Sequence, residues 1–287
     1  MALNLNNLTF IIVTFKSGHV IHECINSLPI TSKIIVIENS LDEKFKNELE
    51  KRYPKIKVII QENVGMGAAN NKGIALCETD YAFVINPDVK FEKDTINRLI
   101  EFSIIKNNYA VLAPISDDNN NPNYIIKNKS LSNFELDYLN VDSVDGFAML
   151  INKKKFKDNN YFDENFFLYL ENEDLCFRKK KEGENIYVLK TAKINHLGGK
   201  SSSTVYSKEI EYSRNWHWMW SKFYFNKKHY GYFYSLTKVF LNLTSAKIKF
   251  FYYFLTFNSY KKKIYQMRYL GLINSILGKK SWYRPKF

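Results

Sequence analysis

Short apolar runs alternate with amphipathic stretches through the first 200 residues. The runs are rich in β-branched residues, as expected of strands buried on both faces of a sheet, and each ends in polar residues. We predict strands at 8–14, 34–37, 56–60, 81–85, 110–114 and 141–151, the last one bent, and another that ends near residue 194. We predict helices at 20–28, 42–53, 68–76, 93–102 and 171–181. This alternation predicts an α/β fold with a mostly parallel sheet flanked by helices.

The pattern changes near residue 204, where aromatic and aliphatic residues begin to mix with lysine and arginine. From Ser201 to Phe287 there are 16 Lys and Arg against two Glu, a net charge of +14, whereas the whole chain carries +13. The longest uncharged run falls short of the roughly 18 residues that a spanning helix needs. We therefore predict two domains, 1–204 and a helical basic-aromatic appendage at 205–287 that lies on an anionic membrane surface. An ordinary helical cap on the main domain would show the same pattern.

Cysteine use and the first residues indicate the compartment. The three cysteines are odd in number and widely spaced, which favours a reducing environment over a disulfide framework. Residues 1–7 lack the basic segment of a secretory signal. We expect a cytoplasmic protein that is peripheral on the inner face of the membrane.

The apolar run 81–85 ends in Asn86-Pro87-Asp88. Pro87 cannot continue a central strand, so Asp88 is expected at the carboxyl end of the sheet, where open α/β sheets bind ligands. A carboxylate there suits a hard cation and, through it, a phosphate. A polar turn would use the same residue types. Other acidic or metal-competent residues are predicted at this edge, and their convergence favours a site: Glu38, residues 171–174 and His196.

Eight short motifs in order resemble the signature of family 2 glycosyltransferases, with the rhamnosyltransferase-like enzymes of bacterial surface polysaccharide synthesis as the most similar subgroup. They lie at 12–15, 36–40, 63–73, 86–88, 145–147, 162–169, 171–178 and 196–201, within the first 200 residues. The resemblance implies a GT-A fold and an inverting transfer of a sugar from a nucleotide-diphosphate donor. It also implies a lipid-linked or other glycan acceptor.

The resemblance assigns donor-binding positions in three groups. Those around the base are Thr14, Phe15, Glu38 and Asn39; those along the nucleotide are Asn63, Gly65, Gly67 and Asn70; those at the diphosphate are Asn86 and Asp88. It further implies a divalent cation, Mg²⁺ or Mn²⁺, held by Asp88, with His196 as a second ligand. The expected donor is a dTDP- or UDP-sugar, with dTDP-rhamnose as the first candidate.

The resemblance places the catalytic base in the motif Glu171-Asn172-Glu173-Asp174. Relatives usually carry Glu-Asp-x-Asp, so Asn172 stands where a second acid is expected, and an amide cannot act as a base. We expect Glu171 to be the base, with Glu173 as the next candidate. Asp174 is expected to hold the helix start or the acceptor loop.

Three other interpretations remain open. Gly65-Met66-Gly67 opens a helix as a dinucleotide fingerprint would, but Asn70 replaces the third glycine and the loop follows the third strand. A nucleic-acid-binding protein could use the basic aromatic tail, although the acidic strand ends oppose this and no nucleic acid is expected as a partner. A relative that binds a sugar nucleotide without turnover would also fit Asn172.

Overall fold

The computed structural model describes residues 2–118, 122–127, 136–196 and 207–285. The chain divides into two compact units, one made of Met1–Asp163 with Asn172–Ser203 and one of Glu164–Glu171 with Thr204–Phe287. The part of the last motif that follows His196 and the predicted boundary at 204 lie outside the described residues.

The first unit is an α/β structure. Its strands are β1 (Leu8–Thr14), β2 (Lys33–Glu38), β3 (Ile56–Ile60), β4 (Tyr81–Ile85), β5 (Val89–Phe91), β6 (Val111–Ser116), β7 (Tyr124–Ile125), β8 (Tyr138–Asn140), β9 (Ser143–Val144), β10 (Ala148–Asn152) and β11 (Ile186–His196). Its helices are α1 (Ile21–Asn26), α2 (Glu43–Arg52), α3 (Met66–Ala75), α4 (Thr95–Ile105) and α5 (Glu171–Lys181), of which α5 starts on the last residue of the second unit's inserted segment.

Nine strands form one mixed sheet in the order β3-β2-β1-β4-β10-β6-β11-β5, with β8 beside β11. The strands β3, β2, β1, β4, β6 and β11 run in one direction, and β10, β5 and β8 run against them. The mostly parallel sheet that the sequence predicts is therefore confirmed. The carboxyl ends of the six parallel strands share one edge, which is where the candidate site lies.

Alternate residues of the central strands supply two apolar layers, because successive side chains point to opposite faces of a sheet. Phe10 and Ile12 of β1 pack in a cluster that includes residues of α1 and α4. Ile11 and Val13 pack in a second cluster with residues of α3 and α5. Burial on both faces explains why the strand sequences are continuous apolar runs and not alternating ones.

The prediction of one bent strand over 141–151 is wrong. The segment forms β9 and β10, which belong to different sheets and are separated by Asp145, Gly146 and Phe147. The strand β9 pairs with β7, whereas β10 lies antiparallel between β4 and β6. Both strands are buried, so the apolar run carried no sign that the chain changes sheets.

The second unit contains three long helices, α6 (Ser207–Tyr230), α7 (Tyr232–Leu255) and α8 (Ser259–Ile276). Gly231, with φ of 90°, joins α6 to α7 in a conformation that favours glycine. Apolar side chains from all three helices make its core, including Met219, Phe223, Val239 and Leu272. Within the described part of the chain, no helix has both the length and the apolar character needed to cross a bilayer.

Candidate functional site

Strand register brings the predicted diphosphate residues to one edge of the sheet. Thr14 at the end of β1 pairs with Glu38 at the end of β2. Ile12 pairs with Ile85, so Asn86 follows directly at the same edge. His196, the last residue of β11, pairs with Val89, the residue after Asp88. The convergence that the sequence predicts for these strand ends is therefore present in the first unit.

Asp88 is a buried carboxylate with unused acceptor capacity. It is 3% exposed, and within the described residues neither of its carboxylate oxygens accepts a hydrogen bond. The Nε2 atom of His196 lies 3.5 Å from Oδ1, beyond good hydrogen-bond length. The buried side-chain oxygens of Asn86 and Asn70 also have no hydrogen-bond partner among those residues. Native proteins rarely leave buried polar atoms in this state unless a ligand, ion or water completes them.

Aromatic stacking fixes His196 beside this carboxylate. The ring of Phe147 stacks on the imidazole with centroids 4.0 Å apart and an interplanar angle of 19°. The backbone carbonyl of Phe147 accepts a 2.9 Å hydrogen bond from the N–H of Asn86. The turn between β9 and β10 therefore positions both the strand end and the histidine.

These residues fit the divalent cation that the family resemblance implies. The described residues contain no group of three or more His, Cys, Asp and Glu that could hold a metal by themselves. Asp88 and His196 would supply one oxygen and one nitrogen, leaving the other positions for donor phosphate oxygens and water. The nitrogen ligand suits Mn²⁺ better than Mg²⁺. The observation that supports this fit is that both oxygens of Asp88 lack a hydrogen bond within the described part of the chain.

The loop before α3 leads directly into the N-terminus of that helix. Gly65 precedes the helix with φ of 96°, a conformation open to glycine, and its N–H donates to Oδ1 of Asn63 at 3.2 Å. Its carbonyl accepts from the amide of Asn39 at 3.3 Å. The following backbone N–H groups, including that of buried Gly67, open the helix, where an N-terminus favours negative charge. The sequence placed the helix start at residue 68, two residues later than Met66.

Glu38 shapes its own loop. Its carboxylate accepts hydrogen bonds from the N–H and hydroxyl of Ser40 and from the N–H of Asp42. Thr14 is fully buried and donates to the carbonyl of Ile37 at 3.4 Å. Phe15 continues the chain from β1, and its N–H donates to the hydroxyl of Ser17 at 3.1 Å. Their contact with a donor base stays a prediction.

In the acidic motif at the start of α5, Asp174 and Asn172 make contacts that hold the fold, whereas Glu173 has the properties of a candidate base. Asp174 is fully buried and pairs with Arg178 at 2.9 Å, so it acts inside the fold. Asn172 donates from its amide nitrogen to the carbonyl of Val144 at 2.8 Å. Glu173 is half-buried, and burial together with the charge of Asp145 raises the pKa of its carboxyl, which Lys127 opposes. A raised carboxyl pKa is the property a general base needs near neutral pH.

Glu171 follows a strained segment of the second unit. Tyr169 and Leu170 have φ of 72° and 67°, unusual values for bulky residues. Strained backbone conformations of this kind are common at functional sites, where they hold side chains in a required orientation. Phe166 and Phe167 of the same segment are buried, and their rings contact Tyr224 and His217 of the second unit.

Two features of the site escaped sequence reasoning. Asn172 lies against the Asp145-Gly146 turn, since a Cβ built on Gly146 would meet the Asn172 Cβ at 3.4 Å. The amide donor of Asn172 thus has a structural task that a carboxylate cannot perform. Asp145 is the second feature: it raises the pKa of Glu173, and burial raises its own pKa while His196 opposes this. Its place in the Asp-Gly-Phe motif was the only signal available.

Comparisons with known proteins identify the family to which the chain belongs. The model of "Glycosyl transferase family 2" matches residues 9–168, more than half of the chain. A curated relative is the low-salt glycan biosynthesis hexosyltransferase Agl10 of Haloferax volcanii, 24% identical over 201 residues, covering 63% of this chain and 64% of the relative. The chain thus spans less than two thirds of that relative's length.

Solved structures agree on the fold. TarS of S. aureus superposes with a TM-score of 0.53 at 18% identity, over 72% of this chain and 38% of TarS. Its fragment 1–349 gives 0.54 at 15% identity, over 97% of this chain and 93% of the fragment. The inositol-1-phosphate CTP transferase of T. maritima gives 0.50 at 9% identity, over 69% and 92%. At these identities the likeness concerns the fold, and the family match over residues 9–168 carries the assignment: the chain belongs to glycosyl transferase family 2.

Proposed function

We propose that this protein is an inverting, metal-dependent glycosyltransferase that moves a sugar from a nucleotide-diphosphate donor to a glycan or lipid-linked glycan acceptor. The observation that carries the proposal is Asp88, which is buried and whose carboxylate oxygens have no hydrogen-bond partner among the described residues. The role of the curated relative, a hexosyltransferase of glycan biosynthesis, supports the reaction class.

In this proposal Asp88 and His196 hold the divalent cation at the carboxyl edge of the sheet. When bound, such an ion neutralises the charge that builds on the diphosphate leaving group. Asn86 follows the end of β4, and α3, which contains Asn70, follows the end of β3 at the same edge of the sheet. The side-chain oxygens of both asparagines are buried without a hydrogen-bond partner among the described residues. The donor is a dTDP- or UDP-sugar, with dTDP-rhamnose the first to test.

Inversion needs a base that removes the proton of the attacking hydroxyl as the glycosidic bond forms. Glu171 and Glu173 are the two candidates. The raised pKa of Glu173 supports that residue, because a higher pKa makes its carboxylate a stronger proton acceptor. Asp174 stays with Arg178 and keeps the helix in place.

The acceptor in this proposal is an intermediate of bacterial surface polysaccharide, such as lipopolysaccharide, at the cytoplasmic face of the membrane. The net charge of +14 in residues 201–287 supports a peripheral position on an anionic surface.

A donor panel tests the proposal. The full chain is mixed with dTDP- and UDP-sugars in the presence of Mn²⁺, Mg²⁺ or a chelator, and thermal shift and donor hydrolysis are recorded. We expect stabilisation by at least one donor only with metal. If no nucleotide sugar stabilises the protein under any metal condition, the proposal is wrong.

A further inference from the structure

Helix α7 exposes a continuous apolar face. Leu241, Ile248 and Leu255 follow one another at intervals of seven residues and are 76%, 68% and 73% exposed. Phe233 and Phe240, also seven apart, are 82% and 61% exposed. Seven residues are nearly two helical turns, so these side chains align along one side of the helix.

The threonine hydroxyls on or beside this face are hydrogen-bonded to the backbone of the helix and do not depend on water. The hydroxyls of Thr237, Thr244 and Thr256 each donate to a backbone carbonyl of the preceding turn, at 2.7, 3.1 and 3.0 Å. Hydroxyls satisfied by backbone carbonyls in this way can be placed in an apolar medium without leaving a hydrogen bond unmade. The face is therefore compatible with removal from water along its length.

The opposite side of α7 already has its partners. Ser235, Val239 and Ala246 are buried, and Val239 packs in the core of the second unit with residues of α6 and α8. The helix is therefore apolar on two sides, one packed and one open. An exposed apolar surface of this extent marks an interaction site.

Charge identifies the partner. Lys238 and Lys249 lie along one border of the exposed face and Lys247 along the other, by helical spacing. The sequences of α7 and α8 contain no Asp or Glu, and residues 201–287 carry a net charge of +14. Like charges of this size oppose pairing with a second copy of the chain, whereas an anionic lipid surface attracts them.

We infer that α7 lies in the plane of an anionic membrane, with its exposed face toward the acyl chains and its lysines toward the lipid phosphates. The inference rests on the proposed function only in the premise that the enzyme acts at a membrane surface. An interfacial helix of this kind combines an apolar face with flanking cations. The helix is 24 residues, roughly 36 Å, long, so it offers an extended contact and fixes which side of the second unit meets the lipid.

Vesicle flotation of the full chain tests the inference. Vesicles of phosphatidylcholine alone are compared with vesicles that also contain phosphatidylglycerol. The variant L241S/I248S/L255S removes the apolar contact, and we expect its binding to anionic vesicles to weaken about tenfold or more. The variant K238Q/K247Q/K249Q should lose most of the preference for anionic over neutral vesicles.

A matched control replaces three exposed isoleucines of the first unit, as I30S/I104S/I105S, and should bind vesicles as the unmodified chain does. Thermal shift by a nucleotide sugar with metal should be unchanged in all three variants, which separates lipid binding from donor binding. The inference is wrong if the unmodified chain fails to float. It is equally wrong if the serine variant floats as well as the unmodified chain, or if that variant instead converts a dimer to a monomer in ultracentrifugation.

Discussion

At the scale of single residues, the candidate site contains buried side-chain oxygens that accept no hydrogen bond from the described residues. Asp88, Asn86 and Asn70 have buried oxygens without hydrogen-bond partners in the described part of the chain. Asp174, in contrast, is fully used by Arg178. At this edge of the sheet, the first three residues have side-chain oxygens available to a ligand, whereas Asp174 pairs within the fold.

The two base candidates can be separated by isosteric variants. If Glu173 is the base, Glu173→Gln should lower the rate of sugar transfer by about 10²–10⁴-fold. The nucleotide-sugar thermal shift should persist, because the donor contacts lie elsewhere. Glu171→Gln, measured in parallel, should then have a much smaller effect. The reverse order of effects would assign the base to Glu171.

The same variant makes a prediction about stability. The pKa of Glu173 is raised in the fold, so the folded state binds this proton more tightly than the unfolded state does. Its contribution to the free energy of unfolding therefore falls as pH rises from the ordinary Glu pKa through the raised one. Glu173→Gln should raise the melting temperature at pH 7 and lose this advantage below the ordinary pKa. A variant that is less stable at pH 7 would contradict the pKa direction.

At the scale of elements, close packing places α3 against the sheet. A Cβ built on Gly73 would meet Cγ2 of Ile11 at 2.3 Å, so only glycine lets the helix approach β1 this closely. Gly73→Ala should destabilise the first unit by about 1–3 kcal/mol, measured by denaturant unfolding. Gly18→Ala is the control, because the nearest contact there is 3.4 Å. Equal stabilities of the two variants would mean that the helix can move away freely.

Sequence patterns predicted correctly those strands that form a single apolar run within one sheet. The strands 8–14, 56–60 and 81–85 coincide with β1, β3 and β4, because each is an uninterrupted apolar run with polar ends. The run 141–151 failed, since burial of both β9 and β10 hides the turn between them. Antiparallel β10 could not be foreseen either, because pairing direction depends on contacts far along the chain.

The site shows the same division. Strand ends located Glu38, Asp88 and His196 because parallel strands share a carboxyl edge. The use of Asn172 as an amide donor to Val144 required three-dimensional neighbours that no local pattern contains.

At the scale of the whole molecule, the chain combines a site-bearing unit with a helical basic unit, and the two can be followed separately. All four tryptophans lie between residues 216 and 282, in the second unit. Tryptophan fluorescence therefore reports unfolding of the helical unit alone, while ligand-induced shifts report the first unit.

The stability of the second unit should depend on pH through His217. This residue is fully buried, with Nδ1 2.9 Å from the hydroxyl of Ser281 and Nε2 2.8 Å from the carbonyl of Tyr283. The carbonyl can only accept, so Nε2 carries a proton, and the low pKa of His217 leaves Nδ1 unprotonated at neutral pH. Burial lowers the pKa of His217 to about 3, an effect that the charge of Arg284 reinforces.

Between pH 6.5 and pH 3, His217 is protonated in the unfolded state but stays neutral in the folded state. The free energy of unfolding should therefore fall as pH drops from 6.5 toward 3. By pH 5 the loss is roughly 2 kcal/mol. Thermal melts followed by tryptophan fluorescence at pH 7 and pH 5 check this. A melting temperature that stays constant between these pH values would contradict the neutral, buried histidine.

The proposal depends most on Asp88, whose buried carboxylate would bind the metal ion that holds the diphosphate of a sugar nucleotide. The most direct measurement compares metal-dependent donor binding and sugar transfer in the unmodified chain, Asp88→Asn and the control Asp94→Asn. Asp94 is exposed and has φ of 64°, which asparagine adopts equally well. We predict that Asp88→Asn keeps the fold, loses the metal-dependent thermal shift and abolishes transfer, while Asp94→Asn behaves as the unmodified chain. Full transfer activity in a folded Asp88→Asn protein would contradict the account.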